Sequence, residues 1–425
     1  MIKDFSKKEA EEYLQQLLKE YDRCKSLNLR LDMSRGKPCK AQLDISEELL
    51  SVLSKSEDCF ADDKTDCRNY GGLAGIPEAR NLFADLMGVL PEEVIVGGNS
   101  SLNMMYDTIA RAMLFGVYGG SKPWGQQEKI KFLCPVPGYD RHFTLCKTFG
   151  IKMINIPLGK DGPDMDEVRR YVENDSSVKG IWCVPKYSNP DGITYSPETV
   201  KAFAGLNPAA DDFRIFWDNA YVVHCFAETD DYLENIMDEL KKNGKEDMIF
   251  MYSSTSKVSF PGAGVAAMAA SKNNVDLILK QMFPQTIGPD KLNQLRHVRY
   301  YKNAAGYREY MKKHAAIIAP RFSIVTGTLE RELGGEGIAR WTDPNGGYFV
   351  SLFVMKGCAK RVVKLLADVG VKMTAAGATY PYGVDPDDSN IRIAPTYPPE
   401  DELKQAIAIL CLCVKIAACE KIIKK

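Results

Sequence analysis

Histidine is scarce in this sequence: 4 of 425 residues, too few for a His-rich metal centre. Neither sign of charge dominates, because 55 Lys and Arg face 56 Asp and Glu for a net charge of -1. The sequence therefore indicates no basic surface for nucleic acid or for an anionic membrane. The longest apolar run, residues 406–414, is far shorter than the ~18–20 residues that cross a bilayer. Residues 1–5 carry no hydrophobic signal region. We expect no metal, no nucleic-acid partner and no membrane association.

No Cys-x-x-Cys spacing occurs among the twelve cysteines, which argues against zinc-ribbon and thioredoxin-like sites. Many of these cysteines lie in apolar segments, such as Cys183 in Ile-Trp-Cys-Val. We expect buried free thiols that behave as small hydrophobic groups. Free thiols in this number indicate a reducing, cytoplasmic compartment. The twelve are Cys24, Cys39, Cys59, Cys67, Cys134, Cys146, Cys183, Cys225, Cys358, Cys411, Cys413 and Cys419.

The chain length predicts two or three domains. Helical stretches such as residues 101–115 alternate with β-rich runs, which lie at residues 94–96, 131–134, 152–156, 180–184, 214–217 and 248–252. This alternation predicts an α/β fold, with a mostly parallel sheet covered by helices on both faces. After a polar helical stretch at about 288–319, strand-like runs flanking a helix at 359–366 indicate a smaller α+β domain. An amphipathic helix over 5–27 is expected to pack on that domain, because it cannot bury its own apolar face.

Two reactive side chains follow predicted strands, at the edge where open α/β sheets bind ligands. Lys257 comes after the strand at 248–252, and it can form a Schiff base if its surroundings depress its pKa. The hydroxyls of Ser254 and Ser256, just before it, can hold a phosphate. Asp218 ends the strand at 214–217, where a buried carboxylate needs a cation or a donor. It is either the counter-ion of a protonated ring nitrogen, with the Tyr221 hydroxyl on a phenolic oxygen, or a helix N-cap.

Three further features lie at comparable positions. The Asn-Pro-Asp-Gly turn at residues 189–192 follows the strand before the one that ends at Asp218. Gly97 and Gly98 lead a strand into a helix whose free N–H groups and dipole suit a phosphate. Neither a dinucleotide-binding Gly-x-Gly-x-x-Gly nor a P-loop is present. Arg392 lies in a β-like apolar run and needs an anion, either a substrate carboxylate or a protein carboxylate.

The order of these motifs resembles that of the fold-type I pyridoxal-phosphate aminotransferases: Asn-Pro-x-Gly, then Asp-x-x-Tyr, then Ser-x-Ser-Lys, then a C-terminal Arg. Within that group the chain is similar to the class I subgroup Ic aspartate aminotransferases, from about residue 30 to 400. The segments that carry this similarity are Met33-Ser-Arg-Gly-Lys-Pro38, Arg68-Asn-Tyr-Gly-Gly-Leu73, Pro137-Gly-Tyr-Asp-Arg-His142 and Gly377-Ala-Thr-Tyr-Pro-Tyr-Gly-Val-Asp-Pro386.

The resemblance implies a pyridoxal-phosphate transferase fold of two domains. The large, cofactor-binding domain would be residues 46–320. Residues 1–45 and 321–425 would form the small domain. It also implies a homodimer whose Tyr70 contacts the phosphate bound by the other subunit.

The same resemblance implies a role for each site residue. Lys257 would carry pyridoxal 5'-phosphate as a Schiff base and move the substrate α-proton, and Asp218 would keep the pyridine nitrogen protonated. Asn189 and Tyr221 would donate to the phenolic oxygen. The Arg392 guanidinium, helped by Asn189 and the backbone at Gly36, would bind the substrate α-carboxylate. Tyr139 would stack on the ring, and the phosphate would be bound by Gly98, Asn99, Ser100, Ser254 and Ser256.

One position departs from the family pattern. Many fold-type I enzymes have an Arg eight residues after the Lys, paired with the phosphate, but this chain has Val265. Another basic residue or additional N–H donors would have to balance the phosphate charge. The residue that would bind a distal carboxylate of the substrate is also left open. Five arginines are candidates: Arg35, Arg68, Arg141, Arg296 and Arg299.

The leading hypothesis is a cytoplasmic aminotransferase that passes the amino group of aspartate, or of a similar acidic amino acid, to 2-oxoglutarate. An aminotransferase of other specificity, or a β-lyase or decarboxylase on the same fold, is the alternative. A third reading is the ligand-sensing module of a transcription regulator. It is disfavoured because the roughly 30 residues before Met33 form one helix, too little for a helix-turn-helix domain.

Overall fold

The computed structural model describes residues 1–424. Its thirteen α-helices are α1 Lys7–Ser26, α2 Lys40–Asp44, α3 Pro77–Met87, α4 Ser101–Phe115, α5 Asp140–Thr148, α6 Met165–Val172, α7 Pro197–Ala204, α8 Ile236–Lys242, α9 Lys272–Met282, α10 Lys291–Tyr301, α11 Ala304–Leu333, α12 Ala359–Asp368 and α13 Glu400–Ile423. Its strands are β1 Leu31–Asp32, β2 Val94–Val96, β3 Lys131–Val136, β4 Lys152–Gly159, β5 Gly162–Pro163, β6 Val178–Cys183, β7 Arg214–Asp218, β8 Ile249–Ser254, β9 Ala266–Ala270, β10 Ala339–Trp341, β11 Val350–Val354, β12 Val371–Lys372 and β13 Asn390–Ile393.

The central sheet has eight strands in the order β2-β9-β8-β7-β6-β3-β4-β5. The five central strands β8, β7, β6, β3 and β4 run parallel to one another, while β2, β9 and β5 join antiparallel at the two ends. This arrangement confirms the predicted mostly parallel α/β sheet. The strands found by pattern match the structure to within three residues at each end, because buried parallel strands read as short apolar runs.

Alternate residues of the central strands enter two different apolar clusters, one on each face of the sheet. In β7, Ile215 and Trp217 belong to the cluster with α3 and α7, whereas Phe216 belongs to the cluster with α4 and α5. Successive side chains of a strand point to opposite faces. Asp218 therefore lies on the same face as Phe216, and that face carries the site described below.

The predicted single helical stretch at 288–319 is wrong in its bounds. The structure divides it at Lys302, which has a φ of 66°, and Asn303 caps the second helix by accepting the Gly306 N–H at 2.9 Å. α11 then runs through Pro320 to Leu333. The proline is tolerated because the carbonyl it leaves unpaired, at Ala316, lies on an exposed face of the helix.

Both ends of the chain share a third apolar cluster. α1 contributes Ala10, Leu17 and Tyr21, which lie in one cluster with α12, α13, β11 and β13. β1 pairs in parallel with β12, Leu31 opposite Val371. β10, β11 and β13 form a separate antiparallel sheet of three strands. The N-terminal helix thus packs where the sequence predicted, against the C-terminal part of the chain.

Across residues 1–424, no helix combines the length and the apolar character that crossing a bilayer requires. The same residues contain no group of three or more His, Cys, Asp or Glu placed to hold a metal ion. All twelve cysteines are free thiols.

Candidate active site

Two adjoining cavities lie beyond the C-terminal ends of the central strands. The inner cavity, of about 150 Å³, is lined by residues that include Ser100, Asp218, Ser254 and Ser256. The outer cavity, of about 420 Å³, opens toward β13 and the segment around Gly36. Four side chains line both cavities: Tyr139, Asn189, Tyr221 and Lys257. The fold therefore presents one continuous, two-part site.

Asp218 offers a buried carboxylate oxygen to the inner cavity. The residue is 3% exposed, and its Oδ2 lies 3.1 Å from His142 Nε2. No polar atom within residues 1–424 partners Oδ1. Because a buried anionic acceptor is costly when it is unpaired, this oxygen fits a ligand with an N–H donor. Asp218 does not cap a helix, since the next helix along the chain, α8, begins at Ile236.

His142 orients the Asp218 carboxylate through this contact. Its ring stacks on Trp182, with centroids 4.2 Å apart and planes 7° apart. His142 follows Tyr139 in the first turn of α5, so the residue that lines the cavity and the residue that orients the carboxylate come from one short segment. Burial, with the nearby Asp218 carboxylate, raises the pKa of the Tyr139 hydroxyl to about 12.

Lys257 follows β8 in a turn that is tied to the opposite segment. Thr255 fixes this turn, since its N–H donates to the Val265 carbonyl at 2.8 Å and its Oγ1 accepts the Val265 N–H at 2.9 Å. Lys257 Nζ lies 4.9 Å from the centroid of the Tyr221 ring. Burial lowers the pKa of the Lys257 amine, the Asp218 carboxylate opposes this shift, and the Arg392 guanidinium adds to it. A lowered pKa favours the neutral, nucleophilic amine.

Hydroxyls and a helix N-terminus form the far wall of the inner cavity. Ser100 is the N-cap residue of α4 and makes no side-chain cap bond. The first N–H groups of a helix have no intrahelical acceptor, and together with the helix dipole they suit a phosphate. Ser254 Oγ and Ser256 Oγ lie 3.1 Å apart opposite this terminus. This wall fits a phosphate-bearing ligand.

Val265, eight residues after Lys257, is 2% exposed. Its side chain packs in the apolar cluster with Val258, on the other side of the sheet from Asp218. Apart from Lys257, no cationic side chain among residues 1–424 lines the inner cavity. Backbone N–H groups and hydroxyls are therefore the groups that this cavity offers to a phosphate.

Arg392 faces the outer cavity from β13. Its Nη1 donates to Asp140 Oδ1 at 2.9 Å and to Asn189 Oδ1 at 3.3 Å. Its guanidinium also lies 4.9 Å from the centroid of the Phe349 ring. The pairing with a protein carboxylate, one of the two alternatives for this arginine, is thus present. In the part of the chain that the structure describes, Asp140 is the one acidic residue that lines the outer cavity.

Of the five arginines considered for a distal carboxylate, only Arg35 and Arg141 line this cavity. Arg68 pairs with Asp66 through two hydrogen bonds of 2.8 and 2.7 Å. Arg299 pairs with Asp62 at 3.2 Å, and Arg296 donates to Asn293. Lys37 and Lys372 also line the outer cavity, so cationic groups surround it.

The structure brings most of the predicted site residues together. Ser100, Tyr139, Asn189, Asp218, Tyr221, Ser254, Ser256 and Lys257 line the inner cavity, and Gly36 and Arg392 line the outer one. Gly98 lies in a neighbouring cavity beside Arg111. Asn99 donates to the Gly262 carbonyl at 3.3 Å, and its own carbonyl accepts from Ser256 Oγ. Tyr70 is 81% exposed and lies outside both cavities.

Sequence reasoning missed the roles of His142 and Asp140, although both stand in the segment Pro137–His142. Their partners, Asp218 and Arg392, are 76 and 252 positions away along the chain. One signal in the sequence could have indicated the role of His142: its spacing from Tyr139, which places both residues at the start of one helix. Contacts at such sequence separations cannot be read from local pattern.

A half-buried lysine, a partnerless carboxylate oxygen and an arginine-lined outer cavity at one edge of this α/β sheet fit an aminotransferase site. The family model for aspartate amino-transferase matches residues 5–425. The chain therefore belongs to the aspartate aminotransferase family.

Individual relatives cover almost the whole chain. The aspartate aminotransferase of Corynebacterium glutamicum is 42% identical over 419 residues, 99% of this chain and 96% of that protein. A Mycolicibacterium smegmatis protein provisionally named as an aminotransferase is 45% identical over 417 residues, 97% of this chain and 96% of that protein.

Solved structures agree with the fold. The crystal structure of an aspartate transaminase from Corynebacterium glutamicum superposes with a TM-score of 0.96 at 42% identity, covering 99% of both chains. The α-aminoadipate aminotransferase of Thermus thermophilus, complexed with N-(5'-phosphopyridoxyl)-L-leucine, shares the fold alone, with a TM-score of 0.73, 19% identity and 94% of both chains covered.

Proposed function

We propose that this aminotransferase uses pyridoxal 5'-phosphate and passes the amino group of aspartate, or of a similar acidic amino acid, to 2-oxoglutarate. The observation that carries the proposal is the partnerless Asp218 Oδ1 in the same cavity as Lys257. Its need for an N–H donor fits a protonated pyridine nitrogen. The wall of Ser100, Ser254 and Ser256 fits the phosphate of the same molecule. When bound, the cofactor supplies a ring that stabilises negative charge at the substrate α-carbon.

Each residue of the site then has a defined role. Lys257 would hold the cofactor through its amine and, once the substrate amine has displaced it, its free Nζ would accept the proton from the substrate α-carbon, which its lowered pKa favours. Asp218, oriented by His142, holds the ring nitrogen protonated. Asn189 and Tyr221 donate to the phenolic oxygen, and Tyr139 stacks on the ring. Gly98 and Asn99 supply backbone contacts near the phosphate.

The side chains of the outer cavity determine which amino acid is bound. Arg392 and Asn189, beside the backbone of Gly36, bind the α-carboxylate, and Asp140 occupies the guanidinium of Arg392 until the substrate replaces it. We assign the distal carboxylate to Arg35 and Arg141. Neither guanidinium has a carboxylate partner in the described part of the chain, and both line the cavity. Guanidinium groups bind carboxylates with paired hydrogen bonds, so a dicarboxylic substrate matches this cavity.

Substrate choice is testable with a panel of amino donors and 2-oxoglutarate, monitored for oxo-acid formation. Aspartate should be the best donor. R141M should lower kcat/KM for aspartate by about tenfold or more, since one charged hydrogen-bonding partner is lost, and should leave alanine turnover nearly unchanged. R68M serves as the matched control, because Arg68 is already paired with Asp66. An equal loss with alanine and aspartate would contradict the assignment of the distal site.

The proposal extends to the assembly and the cell compartment. A symmetric homodimer would bring Tyr70 to the phosphate of the other subunit, and its 81% exposure leaves it available for such a contact. Phe283 and Ile287 are similarly exposed apolar residues, at 81% and 64%. Twelve free cysteines are compatible with the cytoplasm.

The two domains would be residues 46–320 and residues 1–45 with 321–425. The shared apolar cluster of α1, α12 and α13 supports that division. A mixture of inactive Y70F and K257A chains tests the dimer. It should regain activity, because each mixed dimer restores one complete site, whereas a mixture that stays inactive would mean that Tyr70 does not act across the interface.

A further inference from the structure

A chain of buried polar side chains lies behind Lys257 and has no part in the function proposed above. Gln42, in α2, is completely buried, and Tyr348 and His314, before β11 and in α11, are each 1% exposed. Gln42 Nε2 donates to the Tyr348 hydroxyl at 2.9 Å and lies 3.1 Å from His314 Nδ1. The Tyr348 hydroxyl donates to the backbone carbonyl of Lys257 at 3.2 Å. Three distant segments of the chain therefore converge on the backbone of one residue.

The direction of each hydrogen bond is fixed by the neighbouring one. The Cys39 N–H donates to Gln42 Oε1 at 3.1 Å, so the amide nitrogen of Gln42 faces Tyr348 and His314. Because that nitrogen is a donor, His314 Nδ1 must be an acceptor, which requires a neutral ring. Burial lowers the pKa of His314 to about 4. The Tyr348 oxygen is occupied as an acceptor, and its proton is left for the Lys257 carbonyl.

Tyr348 also contacts Lys257 through its ring. The ring centroid lies 5.6 Å from Lys257 Nζ. It is also 6.2 Å from the Tyr221 ring, with planes 29° apart. The hydroxyl thus holds the backbone of the lysine while the two rings flank its amine. Such a residue limits both the position and the direction of the side chain.

We propose that Tyr348 and Gln42 are positioning residues that fix Lys257 for attachment of the cofactor and for proton transfer, Gln42 acting by orienting the Tyr348 hydroxyl. The inference rests on the proposed function insofar as Lys257 is the point of attachment. A buried hydrogen-bond network orders the groups it joins, and here it runs from Gln42 through the Tyr348 hydroxyl to the Lys257 carbonyl. Loss of one neutral hydrogen bond, about 0.5–1.5 kcal/mol, corresponds to a change of about two- to tenfold in rate.

The test compares covalent capture of the cofactor with binding that does not involve Lys257. Cofactor-free chains of wild type, Y348F and Q42E are mixed with pyridoxal 5'-phosphate, and the rate at which the visible absorbance of the attached cofactor appears is measured. Pyridoxamine 5'-phosphate, which lacks the aldehyde, reports binding to the same cavity without attachment. In Q42E the carboxylate can only accept, so the Tyr348 hydroxyl turns away from Lys257.

Y348F and Q42E should each capture pyridoxal 5'-phosphate about three- to tenfold more slowly, with unchanged affinity for pyridoxamine 5'-phosphate. The double variant Y348F/Q42L should be no slower than Y348F alone, because both changes remove the same hydrogen bond. Y21F is the matched control. Tyr21 is a buried tyrosine whose hydroxyl donates to the Leu365 carbonyl at 2.8 Å, far from the site in the apolar cluster of α1, and its loss should leave both measurements unchanged.

Capture by Y348F at the wild-type rate would overturn the inference. An equal loss of pyridoxamine 5'-phosphate binding would do so as well, because Tyr348 would then shape the whole cavity rather than the lysine. A wild-type chain that binds pyridoxamine 5'-phosphate and never attaches the aldehyde would instead refute the proposed role of Lys257.

Discussion

Replacement of Asp218 by Asn tests the central electrostatic feature of the site. The two side chains have the same shape, so the change removes a charge with little effect on packing. Oδ1 has no partner within residues 1–424, and a hydrogen bond to a charged group contributes about 1.5–3 kcal/mol. D218N should therefore weaken cofactor affinity by about 10- to 150-fold. Turnover should fall further, because the amide cannot keep a ring nitrogen protonated.

The dissociation constant of pyridoxal 5'-phosphate, measured by visible absorbance, provides the assay. D140N makes the same chemical change at the outer cavity, where Asp140 pairs with Arg392. It should alter KM for the amino substrate and leave cofactor affinity unchanged. A D218N chain with cofactor affinity within about threefold of wild type would refute the assignment, since the loss of even the weakest charged hydrogen bond exceeds that change.

Two further variants probe packing and titration. In G36A, the new Cβ would lie 2.6 Å from Phe349 Cζ, and displacing the ring that stacks on Arg392 should raise KM about tenfold at an overpacking cost of about 1–3 kcal/mol. Burial lowers the pKa of His297 to about 4, from an ordinary 6.5. The unfolded chain therefore binds the extra proton between these values, and stability falls as pH drops through that window. The free energy of unfolding should decrease from pH 7 to pH 5 in the wild-type chain. In H297Q, which lacks the titrating ring, this decrease should be smaller than in wild type by about 2 kcal/mol.

Each of these variants has a comparison. Gly327, in α11, has open space where a Cβ would be added, so G327A should leave KM unchanged. If G36A also leaves KM unchanged, Phe349 does not support Arg392. For His297, the wild-type and H297Q chains are compared by denaturant unfolding at both pH values. Parallel losses of stability would show that this histidine is not held neutral in the folded chain.

The sequence was sufficient to predict the parts of the fold and site that depend on local pattern. Buried strands such as β6 and β7 are short apolar runs, and Asp218 ends its strand while Lys257 comes soon after its own, so their common edge could be inferred. Tyr348 gave no such signal. Its partners, Gln42 and Lys257, are 306 and 91 positions away, and a buried Tyr in an apolar run is as typical of ordinary core. The length of α11 was missed because Pro320 normally ends a helix.

The pairing of β1 with β12 has a consequence for how the chain folds during synthesis. Leu31 faces Val371, a separation of 340 residues, which a ribosome covers in about 20–70 s at about 5–20 residues per second. Through that interval α1 has no C-terminal helix on which to bury Leu17 and Tyr21, although every strand of the central sheet, from β2 to β9, is synthesised before β12. We expect the nascent chain to expose an amphipathic helix that a chaperone could bind, and to bury it only after α13 has left the ribosome.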